Sequence, residues 1–273
     1  MAFKLGDLII DRIQMGYAET FTGTPLYVLS QLSDASIEIS AESKDTTDKD
    51  GVLIKRFWRA KTGTFTATNA MLNLNILAAQ SGNAAQMAGE GINESIIMPR
   101  IMILQKAEQP SGGFDIPGYI TPTEGNGARG ITVNALDTNG SMGKAYTLGT
   151  VASTTEFAVS GTKLTLPTDT TETQFIVKYD RSVTDGVKIL NSADKFPSTV
   201  KLTLKALCVD PCRADALKAC YIVLPSFQPS PETTIALGGD DTSIDFTGDL
   251  QVNYCSATKD LYVIYFCPDD DED

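Results

Sequence analysis

Between Ser33 and Gly82 the order of apolar and polar residues follows two periods in succession. Ile37, Ile39 and Ala41 alternate with Ser36, Glu38, Ser40 and Glu42, and further on Phe65 and Ala67 alternate with Thr62, Thr64, Thr66 and Thr68. Neighbouring side chains on a strand leave opposite faces, so each run predicts a strand that is dry on one side and wet on the other. Between them the stretch Lys44 to Gly51 holds no apolar residue and closes on Asp50-Gly51, a hairpin-turn signal. It is expected to be a solvated loop or an assembly contact. The period then lengthens, and a helix is predicted over about 69–81, with Thr68 or Asn69 as N-cap and Gly82 as stop. Ala70, Met71, Leu74, Leu77 and Ala78 fill one face of it, while Leu72, Ile76 and Ala79 fill a second. A helix with two apolar faces needs two partners. The first face is expected on the subunit's own sheet, the second (Leu72, Ile76, Ala79) against a neighbouring subunit.

Short strand patterns dominate the remainder: IIMPRIMILQ, ITVNAL, TEFAVSGTKLTLP, TQFIVKYDRS, TVKLTLKALCV, ACYIVLPSF, IDFTGDLQVNY and LYVIYF. Clusters of Gly, Pro, Ser and Thr punctuate them, which predicts an all-β fold with one main helix, a sandwich or barrel carrying a long hairpin. Arg213 to Ala219 is the next candidate for a turn of helix. The Gly- and Pro-rich segment from Gln109 to Arg129 is expected to be a linker or long loop. An economical division has residues 1–116 and 191–273 forming one β-sandwich and 117–190 an inserted small β unit.

The segments ISAESKDTTDKDG, LIKRFWRAKTGTFTATNA and LNLNILAAQSG resemble the major tail tube proteins of tailed bacteriophages, and Asn191 to Cys212 with LYVIYF reads like phage structural proteins. The resemblance implies a virion tail component made in the bacterial host cytoplasm. Six copies would form a ring, rings would stack, and each copy would lend hairpin strands to one continuous barrel. With strands ~4.8 Å apart and tilted near 45°, about 24 strands close on a backbone diameter on the order of 50 Å, leaving a passage for duplex DNA. The lumen face would then carry Glu38, Glu42, Thr62, Thr64 and Thr66. The partners implied are further copies of the chain and, at the tail's other layers, sheath, tape measure, terminator and baseplate proteins. The mixed charges of Lys44, Asp45, Asp48, Lys49 and Asp50 suit stacking between identical rings.

Composition bears on the alternatives. The chain has 273 residues and a net charge of −12, opposite to what a phosphate-gripping surface requires, so DNA is expected to pass without tight binding. The basic residues Lys55, Arg56, Arg59 and Lys61 lie in the same hairpin; they either point inward or pair with Glu38 and Glu42 across strands. There is no histidine, which removes Ser-His-Asp and Cys-His catalysis and HExxH zinc sites. The five cysteines, Cys208, Cys212, Cys220, Cys255 and Cys267, have an odd count and no redox spacing, and are expected to be free thiols without metal. No cofactor or enzymatic activity is expected. No run reaches the roughly 18–20 apolar residues of a membrane span, and the first residues lack signal-peptide character. A soluble protein with no membrane partner is expected.

The lone tryptophan, Trp58, follows Phe57, and adjacent strand residues face opposite sides. One of the two should therefore meet something outside the subunit, unless a bulge or a stacked arginine accommodates it. The competing function is a virion-surface or carbohydrate-binding β-sandwich module. It needs an exposed aromatic platform, whereas most aromatics here sit within apolar strand patterns.

Overall fold

The computed structural model describes residues 8–30, 32–69, 71, 73–83, 86–88, 95–123, 128–210, 213–235, 243–254 and 258–271. The chain opens with β1 (Ile9–Glu19) and β2 (Pro25–Leu29), followed by the long hairpin β3 (Leu32–Thr47) and β4 (Leu53–Asn69) and the helix α1 (Leu74–Ser81). Nine strands come next: β5 (Gln86–Ala88), β6 (Ile96–Gln105), β7 (Phe114–Asp115), β8 (Ile131–Leu136), β9 (Met142–Gly149), β10 (Glu156–Ser160), β11 (Lys163–Thr165), β12 (Gln174–Val183) and β13 (Gly186–Lys188). The last four are β14 (Val200–Asp210), β15 (Arg213–Pro229), β16 (Ile244–Leu250) and β17 (Val263–Asp271). Among the described residues the fold is all-β with one α-helix, as the periodicity predicts.

The chain divides into two compact units, residues 1–85 with 189–273 and residues 86–188. In the first, an eight-stranded sheet runs β2-β1-β14-β15-β16-β4-β3, with β17 paired to β15 off that path. Its core gathers Leu29, Phe65, Ile76, Leu202, Leu204, Ala206, Leu224, Phe227, Ile244 and Phe246, all essentially inaccessible. Three rings meet at its centre. Phe227 lies 5.8 Å from Phe65 and 5.5 Å from Phe246, and Phe65 lies 6.4 Å from Phe246, with edge-to-face or tilted geometry that adds to simple burial. Gly248 makes room for them, since a Cβ there would fall 2.5 Å from the Phe227 ring and 2.4 Å from the Gln228 carbonyl oxygen.

The second unit is a seven-stranded sheet in the order β6-β12-β8-β9-β10-β11-β7, with β9 and β10 parallel. Tyr146, Phe157, Leu164, Phe175, Val177 and Tyr179 form its core. The short ribbon β5–β13 joins the two ends of this unit. The insertion thus begins near Gln86 rather than at 117, because β6 pairs along its whole length with β12. An apolar strand advertises burial but not its partner.

Three local expectations change. Arg213 to Ala219 is strand, not helix: Arg213 pairs with Asp210 and Lys218 with Cys208, so ladder pairing overrides the helix propensity of these residues. The helix starts later than expected, because β4 continues to Asn69 and the N-cap is Asn73, whose Oδ1 accepts from the Asn75 and Ile76 amides. Its end at Gly82 stands, with φ +66 where a Cβ would collide with the Phe196 carbonyl. Finally, β1, β2, β5, β7, β9 and β13 are strands that the sequence patterns did not single out, and β7 lies in the segment expected to be a linker or long loop.

Replacing Phe227 with Ala is expected to cost about 3–5 kcal/mol, felt as lost amide hydrogen-exchange protection in β14 and β16. Protection in β8 and β12 should stay unchanged. Equal losses in both units would contradict two separate cores.

Candidate assembly surface

The hairpin register sets Ile37 opposite Phe65, Glu38 opposite Thr64, and Ser40 opposite Thr62. The wet face therefore carries Ser36, Glu38 and Ser40 beside Thr62, Thr64 and Thr66, and the hydroxyls join across the strands: Ser36 to Thr66 at 2.7 Å and Ser40 to Thr62 at 2.7 Å. β16 continues the pattern. Thr247 lies opposite Thr66 and Asp249 opposite Thr64, while Asp245 lies opposite Thr68 and accepts from its hydroxyl at 3.3 Å. Ile244, Phe246 and Leu250 are buried beneath. Asp245, Thr247 and Asp249 thus extend the face assigned to Glu38, Glu42, Thr62, Thr64 and Thr66. The alternation in IDFTGDL was legible, but its neighbour across the sheet, 180 residues or so distant in sequence, was not.

Beyond Gly63 the hairpin leaves the body. From Ser40 to Thr47 and from Leu53 to Thr62 both faces are exposed. A bulge sets Glu42 against Arg59 and Ala60, and a second one follows at Ile54. These shift the alternation of β4, so Phe57 and Lys55 share the face of Lys44 and Thr46, whereas Trp58 and Arg56 lie with Ser43 and Asp45. The basic residues are divided between two faces. Among the described ion pairs none joins Glu38 or Glu42 to a base; Arg56 instead donates from Nε and Nη2 to the two oxygens of Asp45, at 2.7 and 2.8 Å, and its guanidinium sits 5.7 Å from the Trp58 ring. Both the bulge and the stacked arginine are present, yet Phe57 and Trp58 remain 53% and 66% exposed.

The polar stretch is shorter as a loop than expected. Lys44 and Asp45 belong to β3, and only Asp48 to Gly51 turn, where Asp48 Oδ1 accepts from the amides of Asp50 and Val52 and Gly51 has φ +81. Asp45 and Asp48 therefore stabilise the hairpin itself, while Lys49 and Asp50 stand exposed at the tip and Lys44 stands exposed on β3.

The helix faces follow the expectation only in part: Leu77, from the face expected on the subunit's own sheet, does pack against that core. Ile76 is fully buried in its own subunit's core, so its assignment to a neighbouring subunit is corrected. Ala79 is half-buried, and Leu72 lies outside the described residues. The first turn instead exposes Leu74, preceded by exposed Met71. The 100° projection placed the apolar stripes but not which one met the sheet, which tertiary packing decides.

Among the described residues no group of acidic or sulfur side chains could hold a metal, and no helix is long and apolar enough to cross a membrane. Cys208 and Cys220 are buried free thiols, both pushed up by burial. Cys212 and Cys255 lie outside the described residues.

Residues 127–264 match the model of the YomU/Tube protein family, a phage tube-like family. The chain belongs to the YomU/Tube family. No curated protein matches it. The YomU/Tube match takes in most of the inserted unit and the strands β14 to β16, and so includes Asn191 to Cys212. The hairpin that carried the sequence resemblance lies upstream of it. Two separate stretches of the chain thus point the same way, and the protein is a phage tail structural component.

The Arg56 hydrogen bonds hold the Asp45 carboxyl below its ordinary value. A lowered folded value means that the pair is complete above the unfolded value of about 3.9 and is lost as pH falls through the folded one. A carboxyl NMR titration should place the Asp45 midpoint below 3.9, and Arg56→Gln should return it to the ordinary range.

Proposed function

We propose that copies of this chain form hexameric rings that stack into the tail tube, with the polar face of β3, β4 and β16 turned toward a channel through which DNA passes. The observation that carries this reading is the continuous alternation across three strands. Ser36, Glu38, Ser40, Thr62, Thr64, Thr66, Asp245, Thr247 and Asp249 all stand on the side opposite the buried core. Such a surface is hydrated, rich in hydroxyls and acidic. Extended along the hairpin, it carries Glu38, Glu42, Asp245 and Asp249 against Lys44, Lys55 and Arg59, with Phe57 among them, a small acidic excess that disfavours tight phosphate binding. A wall of this kind lets DNA slide, because each lysine or arginine touching phosphate would add a contact to break. The chemistry is that of a conduit and not of an enzyme. The exposed tip residues Lys49 and Asp50, with Lys44 on the adjoining strand, fit ring-to-ring stacking, and the exposed Met71 and Leu74 fit a lateral neighbour.

Negative-stain microscopy of the purified protein should show six-fold rings and stacked tubes. Monodisperse globules at every concentration would favour the virion-surface module instead. Replacing Lys44 and Lys49 with Glu should shorten the tubes without affecting folding, as judged by circular dichroism. Labelled duplex at roughly 50 mM salt, where phosphate contacts are strongest, should give no saturable submicromolar anisotropy change. Such binding, weakening steeply with salt, would place the basic residues in the channel.

A further inference from the structure

The same subunit carries an apolar projection and an apolar cavity that cannot meet each other. The projection is the distal hairpin, where Leu53, Ile54, Phe57 and Trp58 are between 49% and 66% exposed, on both faces of a two-stranded ribbon. Exposed apolar residues in such density mark an interaction surface, and a bare two-stranded ribbon is marginal unless something packs on it. The cavity, of about 260 Å³, opens where β1, β3, β14, β15 and β17 curl together; Ile10, Ile13, Ile39, Leu204, Ile222 and Ile264 are among its walls. An apolar cavity of about 150 Å³ accommodates a benzene ring, so this one has room for an indole. Ile39 is also the last hairpin residue to line it. Trp58 pairs with Ser43, four residues further out on a strand rising ~3.3 Å per residue. The tip is carried away from its own cavity.

We propose that Trp58 and its apolar neighbours dock in the cavity of a second copy of the chain. Charge favours that occupant over an unrelated one. Between Glu42 and Lys61 lie six of the chain's 22 basic residues and four of its 34 acidic ones, so the projection carries +2 and the remainder −14. The tip is thus the positive part of an otherwise acidic molecule, and like copies attract through it. A tip-to-cavity contact is heterologous: every copy gives a tip and receives one, which generates rings or helical stacks rather than closed dimers. The proposal rests on the tube reading and supplies its contact.

Trp58 is the only tryptophan, so the unmodified protein reports on its own contact. Its emission should shift to the blue as wild-type protein assembles with rising concentration. Trp58→Asp and Ile264→Asp alter exposed positions and should give folded, non-assembling protein, checked by circular dichroism. Mixed, the two variants retain one intact tip and one intact cavity, and should form one-to-one heterodimers in sedimentation velocity and nothing larger. Wild-type assembly with unshifted emission, or assembly by either variant alone, would give the cavity another occupant and overturn the proposal while leaving the tube reading intact. Wild-type protein that stays monomeric at all concentrations would overturn both. A mixture that remains monomeric although wild type assembles would overturn the contact.

Discussion

The period-two geometry of the strand governs this protein. Phe65, Ala67, Phe246 and Leu250 point into one core, and their neighbours Thr64, Thr66, Thr247 and Asp249 must then point away from it. The packing of Phe65, Phe227 and Phe246 fixes the register of β4 against β16, since a slip of one residue would carry the rings to water and the threonines into the core. The polar face therefore follows from the buried face. In the proposed tube, the core and the channel wall would be set by the same alternation.

Where that constraint lapses, the chain changes character. Beyond Gly63 no third strand among the described residues flanks the hairpin, both faces are open, and bulges at Glu42 and Ile54 shift the alternation. The ribbon relies on local devices: the Asp48 turn, the Arg56–Asp45 clamp and the stacking of Arg56 on Trp58. Exposed ion pairs of this kind each contribute little. A ribbon that is weakly held in the isolated subunit and rich in exposed apolar groups is built for a partner.

The sequence was most legible where periodicity is strict. The hairpin, its polar face, most of the later strands and the helix stop at Gly82 follow from spacing and turn chemistry alone. What depended on long-range pairing was not legible. β6 looked like a strand of the main sandwich until its pairing with β12 placed it in the inserted unit; Arg213 to Ala219 looked helical until β14 supplied a ladder; Asp245 and Asp249 joined the polar face only through the register with β4. The helix shows a subtler failure. Its two apolar stripes were visible, but packing against the core took Ile76 inward and left Leu74 outside. Periodicity names faces, and only tertiary contact says which one is buried.

Family membership, the all-β architecture and the hydrated face converge on a tube wall. A cryo-electron microscopy reconstruction of the assembled protein tests that convergence most directly, because it shows which face of β3, β4 and β16 looks into the channel. The account predicts Glu38, Thr64, Thr66 and Asp249 lining the lumen, with Phe65 and Phe246 behind them. A reconstruction with those polar side chains on the outer surface, or with another part of the chain lining the channel, would contradict it.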